Sequence, residues 1–172
     1  MLSIEPSIGR GNIKLGPIPS FSLPSRFSCP GATTWCLEHC YAARYEHIRS
    51  NCRRAYARNL VLSWDSERFV HLMLKRIDPQ MPFLRIHVSG DFHSSQYANA
   101  WYRIAKARPN TQLWAYTRSW TVASIRPSLE RFRHLRNVSL FASVDPGMPD
   151  PPSGWRAAYL DIDPRAKGLP CP

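Results

Sequence analysis

The sequence lacks the short motifs that mark the commonest nucleotide-binding and hydrolytic sites. It contains no GxxxxGK[ST] P-loop, no GxGxxG fingerprint, no GxSxG nucleophile elbow and no HExxH pair. None of these four chemistries is therefore indicated, and the function has to be sought in other residues.

Long hydrophobic runs are also missing. No segment approaches the length of a transmembrane helix, and Arg10, Lys14 and Arg26 interrupt the first thirty residues, so no signal peptide is indicated. The cysteine count is five, an odd number, which argues against a secreted disulfide scaffold. We therefore expect a protein with no membrane association and with reduced cysteines, in the cytoplasm of a bacterium or of an infected host.

Acidic residues are scarce. The chain has 12 of them against 23 basic residues, a formal net charge of +11, and only four of the basic residues are lysine. Arginine forms bidentate contacts with phosphate and stacks on bases, so the composition favours nucleic acid or another polyanion as a partner. A GC-rich genome and a solvated surface are the alternative explanation, and charge alone does not choose between them.

Three cysteines lie close together in the sequence. Cys29, Cys36 and Cys40 follow the spacing C-x6-C-x3-C, and Pro30-Gly31 allows a tight loop between the first two. Thiolates are soft ligands that select zinc, Cu(I) or iron–sulfur clusters. If a helix begins near residue 33 or 34, the second and third cysteines share one face of it. The pattern predicts a metal centre at a loop-to-helix junction.

Spacing alone leaves three kinds of centre open. No C-x2-C pair occurs, although such pairs are usual in structural zinc sites, so a 4Fe-4S cluster is favoured over zinc. Disulfides or free thiols are a third alternative. His39 lies inside the motif but out of helical phase with Cys36 and Cys40, which makes it a poorer ligand.

The remainder of the chain, residues 1–172, is typical of one α/β domain. Hydrophobic spacing and punctuation predict an irregular or short-stranded segment at 1–28, five helices and four strands. The predicted helices are 34–46, 51–64, 66–77, 94–107 and 122–134 (interrupted by Pro127), and the predicted strands are 84–88, 112–116, 138–142 and 158–160. Alternation of strands and helices argues for a mostly parallel sheet.

Polar residues follow three of these strands. The strand ends are Ser89-Gly90-Asp91, Thr117-Arg118 and Ser143-Val144-Asp145. Functional groups gather at the carboxyl ends of parallel strands, so we expect Asp91, Arg118 and Asp145 to form one catalytic or binding pocket. Both aspartates are also explained as helix or turn caps, and the arginine as a salt-bridge partner or as an anion clamp.

Two histidines near the first of these strands are ambiguous. His87 is either directed towards a binding interior or simply buried, and His93 follows the Gly-Asp turn as a substrate or supporting group.

Five sequence blocks carry a family resemblance. They are Ser28-Cys29-Pro30-Gly31-Ala32, Cys36-x3-Cys40-Tyr41-Ala42, residues 85–92 (RIHVSGDF), residues 114–120 (WAYTRSW) and Ser143-Val144-Asp145. Together they resemble the "gene product 88" family of phages and plasmids, over residues 12–170. That family in turn looks like a compact relative of the radical S-adenosylmethionine enzymes.

The resemblance implies a partial (β/α) barrel and a 4Fe-4S cluster held by Cys29, Cys36 and Cys40, with one iron open to S-adenosylmethionine. Ser89-Gly90 would replace the glycine-rich motif that grips the cofactor amine. The enzymes it resembles have C-x3-C-x2-C with an aromatic residue before the third cysteine, whereas here the spacing is longer and Tyr41 follows the last cysteine. The enzymatic role is therefore open.

A fourth protein ligand would close the cluster. Cys171 is favoured over Cys52, because the Pro-Cys-Pro tail has little other reason to be ordered. A closed cluster would suit a non-catalytic iron–sulfur or zinc module that binds nucleic acid or senses redox state, and an open one would suit an enzyme. Members of the family look longer than this chain, so we expect it to be a truncated member.

Overall fold

The computed structural model describes residues 5–11 and 16–168. These residues form six strands, six α-helices and one 3-10 turn, Ser119–Thr121. The strands are β1 (Ile8–Gly9), β2 (Ser20–Phe21), β3 (Phe83–Ile86), β4 (Gln112–Thr117), β5 (Val138–Val144) and β6 (Arg156–Tyr159). The helices are α1 (Thr34–Glu38), α2 (Tyr41–Ile48), α3 (Ser50–Ser63), α4 (Ser66–Arg76), α5 (Ser95–Ala107) and α6 (Arg126–Arg133).

The six strands lie in one sheet in the order of the chain, β1 to β6. The β1–β2 pair is antiparallel and the other four pairs are parallel. The predicted mostly parallel α/β sheet is therefore confirmed. Within the described residues the sheet is open, with β1 and β6 at its edges, so the expected partial-barrel form is not confirmed.

Side chains alternate across the parallel strands. One face is buried, and its residues join α4, α5 and α6 in the hydrophobic core. The opposite face is only half-buried: it carries Tyr116 stacked on Phe141 with ring centroids 5.1 Å apart, and Arg85 and Arg156 lie over these two rings. Parallel sheets usually have both faces covered and read as continuous apolar runs. In this sheet the strands alternate between buried and half-buried residues, because α4, α5 and α6 cover a single face.

Side chains cap the amino-terminal ends of two helices. The side chain of Asp65 accepts from the Arg68 backbone N–H at 3.1 Å, and that of Ser94 accepts from the Tyr97 N–H at 3.2 Å. The helix predicted over 122–134 begins at Arg126, with Pro127 in its first turn, where proline is tolerated because no N–H is needed there.

The predicted helix over 34–46 is wrong in one respect. It is two helices, α1 and α2, and Cys40 is the N-cap of the second with extended backbone, φ −65° and ψ 102°. Cys36 lies inside α1. The two cysteines therefore do not share one helix face, and the chain turns between them.

Candidate metal centre

The cysteine segment lies at the carboxyl edge of the parallel sheet. The chain leaves β2 at Phe21, and Leu23 then donates its N–H to the Ser89 carbonyl at 3.0 Å beyond the end of β3. The Asp91 N–H donates to the Ser28 carbonyl at 3.2 Å. These two bonds join the segment that leads to Cys29 to the end of the neighbouring strand.

Gly31 fixes the loop against the end of β4. A Cβ at this position would lie 2.3 Å from the Arg118 carbonyl oxygen and 2.9 Å from the Ser119 nitrogen. Real Cβ atoms do not approach backbone so closely, so only glycine allows the loop to pack here. The Pro-Gly pair, predicted to permit a tight loop, thus also brings the cysteine segment onto a second strand end.

Thr33 connects the cysteine helix to the end of β5. Its hydroxyl accepts from the Cys36 backbone N–H at 3.1 Å, which caps α1, and donates to Asp145 Oδ2 at 2.6 Å. Asp145 is buried, with its side chain 1% exposed. Sequence reasoning missed Thr33; its signal was a threonine three residues before a cysteine at a helix start.

The three thiols interact electrostatically. Burial, together with the charges of Asp91, Cys36 and Cys40, raises the pKa of Cys29 to about 12. Burial also raises the pKa of Cys36; the Arg118 guanidinium opposes this shift, while Cys40 and Asp145 add to it. Both Cys36 and Cys40 contribute to the raised pKa of Cys29, and a common metal centre for the three thiols stays a prediction.

The thiols do not surround a single point. Within residues 5–11 and 16–168, no group of three histidine, cysteine or acidic side chains is placed to hold one metal ion. A zinc ion needs its sulfur ligands at about 2.3 Å from one centre. The described residues therefore offer no ready-made site for a single ion.

Asp91 joins the ends of β3 and β4. Its Oδ1 accepts from Thr117 Oγ1 at 2.5 Å and from the Phe92 N–H at 2.7 Å, and its Oδ2 accepts from the backbone N–H groups of Arg118 at 2.8 Å and Ser119 at 3.2 Å. Burial raises the pKa of Asp91, and these four bonds oppose the shift. Besides the predicted catalytic role, this carboxylate has a structural one.

Arg118 and Asp145 form an ion pair, with Nε and Oδ2 3.2 Å apart. The Arg118 side chain is 17% exposed, and its charge acts on the Cys36 thiol. The salt-bridge explanation from the sequence is confirmed, and the remaining guanidinium nitrogens keep the donor capacity that an anion clamp requires. One hydrogen bond and this ion pair thus bring Asp91, Arg118 and Asp145 together at the strand ends, and the catalytic or binding pocket stays a prediction.

Of the residues predicted to bind a cofactor, Ser89 and Gly90 follow β3, and Tyr41 of α2 contacts the chain just after that strand. The Ser89 hydroxyl donates to Glu46 Oε1, an α2 carboxylate that also accepts from the Ser25 N–H at 2.9 Å. Gly90 has φ +82° and lies against Leu23, so a side chain there would clash. The Tyr41 hydroxyl donates to the Val88 carbonyl at 2.6 Å. Glu46, which sequence reasoning missed, therefore ties α2 to the site.

The histidines lie apart from the thiols in their contacts. His39 stacks on Trp35 of its own helix at 4.4 Å and hydrogen-bonds through Nδ1 to its carbonyl. His87 is buried, has φ +66°, and contacts the Tyr97 hydroxyl through Nε2 at 2.9 Å. Burial, with His93 and Arg85, lowers the pKa of His87 to about 3. Of the two explanations for His87, a neutral buried histidine fits better.

One hydroxyl at the site is unsatisfied. Ser119 Oγ is buried and has no hydrogen-bond partner within the part of the chain that the structure describes. It adjoins the Arg118 backbone and the Gly31 loop. No sequence pattern marks this serine, since a serine after a strand is common.

Of the two candidate fourth ligands, one lies within the described residues. Cys171 lies outside the described residues. Cys52 lies on α3 beside Tyr56, and burial, followed by the Cys52 thiol, raises the pKa of that phenol to about 12. The choice between Cys171 and Cys52 stays a prediction.

The fold and the site define an α/β protein with an open, mostly parallel sheet and a thiol-rich site at its strand ends. The family described as Gene product 88 matches residues 6–160. The Gene 88 protein of Mycobacterium phage L5 is 34% identical over 171 residues, covering 88% of this chain and 69% of the phage protein, and that of Mycobacterium phage D29 is 33% identical with the same coverage. The chain therefore belongs to the gene product 88 family of phage proteins.

Two further findings complete the comparison. No solved structure matches the chain significantly. No helix in the described ranges is long and apolar enough to cross a membrane. The family match confirms the resemblance read from the five sequence blocks and assigns no chemistry to them.

Proposed function

We propose that Cys29, Cys36 and Cys40 bind a 4Fe-4S cluster at the carboxyl edge of the sheet. The observation that carries this proposal is the placement of the three cysteines on a loop, a helix and a helix cap at the strand ends, where Gly31 packs on the Arg118 backbone and Thr33 bonds to Asp145. Thiolates are the ligands that such clusters take. The contacts of Gly31 and Thr33 hold the segment that carries these thiols against the ends of β4 and β5.

The arrangement suits a cluster better than zinc. A cluster spreads its thiolates over different iron atoms, whereas a zinc ion gathers them around one point. No group of three ligating side chains in the described residues is placed around one ion, so the preference for a cluster rests on the thiolate donors and on the absence of a C-x2-C pair. Bound thiols must also be deprotonated, and the Arg118 guanidinium favours the thiolate of Cys36.

We further propose that S-adenosylmethionine binds at an open iron, as in the radical enzymes the family resembles. The bound cluster would supply an electron for reductive cleavage of that cofactor. In this chain the exposed part of Arg118 would bind an anionic group, and Asp145 would hold its guanidinium in place. The Ser89-Gly90 turn and Tyr41, which both contact the end of β3 or its neighbours, would contribute to binding the cofactor. The substrate would be nucleic acid or a small molecule.

Anaerobic purification with iron and sulfide analysis tests this proposal. About four irons and four sulfides per chain, with a spectral change on adding S-adenosylmethionine, are expected. Cys36→Ala should abolish iron binding, and Cys52→Ala should serve as the matched control if that thiol is not a ligand. Zinc without sulfide would refute the cluster.

A second function is favoured by the charge of +11. It is a non-catalytic iron–sulfur or zinc module that binds nucleic acid or senses redox state, with its metal centre closed by a fourth thiolate. The same iron and sulfide content with no spectral response to S-adenosylmethionine would support it. Nucleic-acid affinity that falls steeply with salt is expected in this case.

A further inference from the structure

The exposed arginines of α2 and α3 form a cationic surface beside the cysteine site. Five arginines in residues 39–64 are exposed, and we call them the arginine surface: Arg44, Arg49, Arg53, Arg54 and Arg58. The only acidic residue in this segment is Glu46, which is buried and bound to Ser25 and Ser89. In the described part of the chain, none of the five forms an ion pair.

Among the described residues only Arg103, Arg118, Arg133 and Arg165 form ion pairs with carboxylates. The five arginines of the surface share the lack of an acidic partner with other exposed arginines and are set apart by their concentration on two consecutive helices. Uncompensated arginines repel one another, so the segment gains by contact with a polyanion, and counterion release favours phosphate chains in particular.

Helical phase places these cations on outward faces. On α2 the exposed Tyr41, Arg44, Tyr45 and Ile48 lie opposite the buried Ala42 and Glu46. On α3 the positions of Arg54, Arg58 and Val61 form a stripe opposite the buried Asn59 and Leu62. Arg49 is the C-cap residue of α2 and the N-cap residue of α3, so it lies between the arginines of the two helices.

Exposed aromatic rings lie among the cations. Tyr45 is 46% exposed, and the Arg49 guanidinium lies 5.7 Å from its ring centroid. Phe27 is 89% exposed in the segment that precedes Cys29, and the Ser25–Glu46 bond ties this segment to α2. A phenylalanine so exposed gains by covering its ring, and bases stack on such rings in proteins that bind single strands.

We propose that the arginine surface, with Phe27 and Tyr45, binds single-stranded nucleic acid next to the cysteine site. This inference rests on the nucleic-acid partner in the proposed function and does not depend on the metal centre. The arginines would contact phosphates and the two rings would stack on bases. Tyr41 places the surface at the site, since its hydroxyl binds the carbonyl of Val88 at the end of β3.

Fluorescence anisotropy with a labelled single strand of about 15 nucleotides tests the surface. The variant Arg53→Gln/Arg54→Gln/Arg58→Gln should bind at least about tenfold more weakly. Its slope of log affinity against log salt should fall by about 2, because each single-strand phosphate contact contributes roughly 0.7. Tyr45→Ala should lose about tenfold with an unchanged slope, as expected for stacking.

The matched control is Lys75→Gln/Arg76→Gln/Arg136→Gln, which removes the same charge from exposed residues elsewhere. It should bind nearly as well as the wild type. Equal losses in the two triple variants would overturn the surface, since only net charge would then matter. Equally tight binding of a duplex of the same sequence would overturn the single-strand assignment.

Two measurements separate this inference from its alternatives. The first is size-exclusion chromatography of the wild type and of the Arg53→Gln/Arg54→Gln/Arg58→Gln variant, called the α3 variant. If the wild type is a dimer and the α3 variant is a monomer, the surface binds a second copy of the chain and the proposal is overturned. Iron content should be unchanged in the α3 variant. Binding should persist in Cys36→Ala protein, so a failure of the metal proposal leaves this one standing.

Discussion

Replacement of Asp91 by asparagine should weaken the whole strand-end site. Asp91 Oδ2 accepts from two backbone N–H groups, those of Arg118 and Ser119, and Oδ1 accepts from the Thr117 hydroxyl and the Phe92 N–H. An asparagine has one acceptor oxygen, so its amide group must face two of these donors. Each buried donor left without an acceptor costs about 1–3 kcal/mol.

The expected loss is about 2–4 kcal/mol in the free energy of unfolding, since removing a buried charge returns part of the cost. Urea denaturation of metal-free protein measures it, and the midpoint should fall by about 1–2 M. Asp78→Asn is the control: Asp78 is exposed, and the described bonds of its carboxylate are limited to one from the Gln80 N–H at 2.8 Å. A change below about 0.5 kcal/mol in Asp91→Asn would refute the reasoning.

Three further predictions address the loop, the thiols and pH. Gly31→Ala should cost about 2 kcal/mol or more in urea denaturation because its Cβ meets backbone at 2.3 Å, whereas Gly168→Ala, with no atom within 4 Å, should change little. Arg118→Gln should slow the alkylation of Cys36 by iodoacetamide in metal-free protein, followed by mass spectrometry, because the guanidinium that lowers that thiol pKa is lost; an unchanged rate would contradict this. The folded pKa of His87, about 3, lies below its ordinary 6.5, so its contribution to stability is complete above pH 6.5 and falls by about 2 kcal/mol at pH 5. His87→Asn, which suits a positive φ, should lose that part of the pH dependence, and an unaltered dependence would assign the titration elsewhere.

The sequence was sufficient to predict the secondary structure of the α/β region and the approximate location of the site. Periods of 3.6 and 2 residues identify α3 to α6 and β3 to β6, because each element buries one face. The polar residues after β3, β4 and β5 predicted a shared site, because the carboxyl ends of parallel strands lie at one edge of a sheet.

Local spacing failed where long-range contacts decide the geometry. The separation of Cys36 and Cys40 suggested one helix face, but the chain turns at His39, and Cys40 becomes the cap of α2. No local pattern distinguishes a continuous helix from two short ones whose ends are held by Thr33 and Tyr41.

By itself the sequence determined the family, the net charge, the cysteine spacing and the order of strands and helices. Only the tertiary structure decided that the Gly31 loop packs on the end of β4, that Thr33 binds Asp145 across 112 positions, and that Glu46 ties α2 to Ser89. The physical reason is that these contacts join residues far apart in the chain. Their geometry depends on how the parallel strands align at one edge, and local hydrophobic periodicity does not encode that alignment.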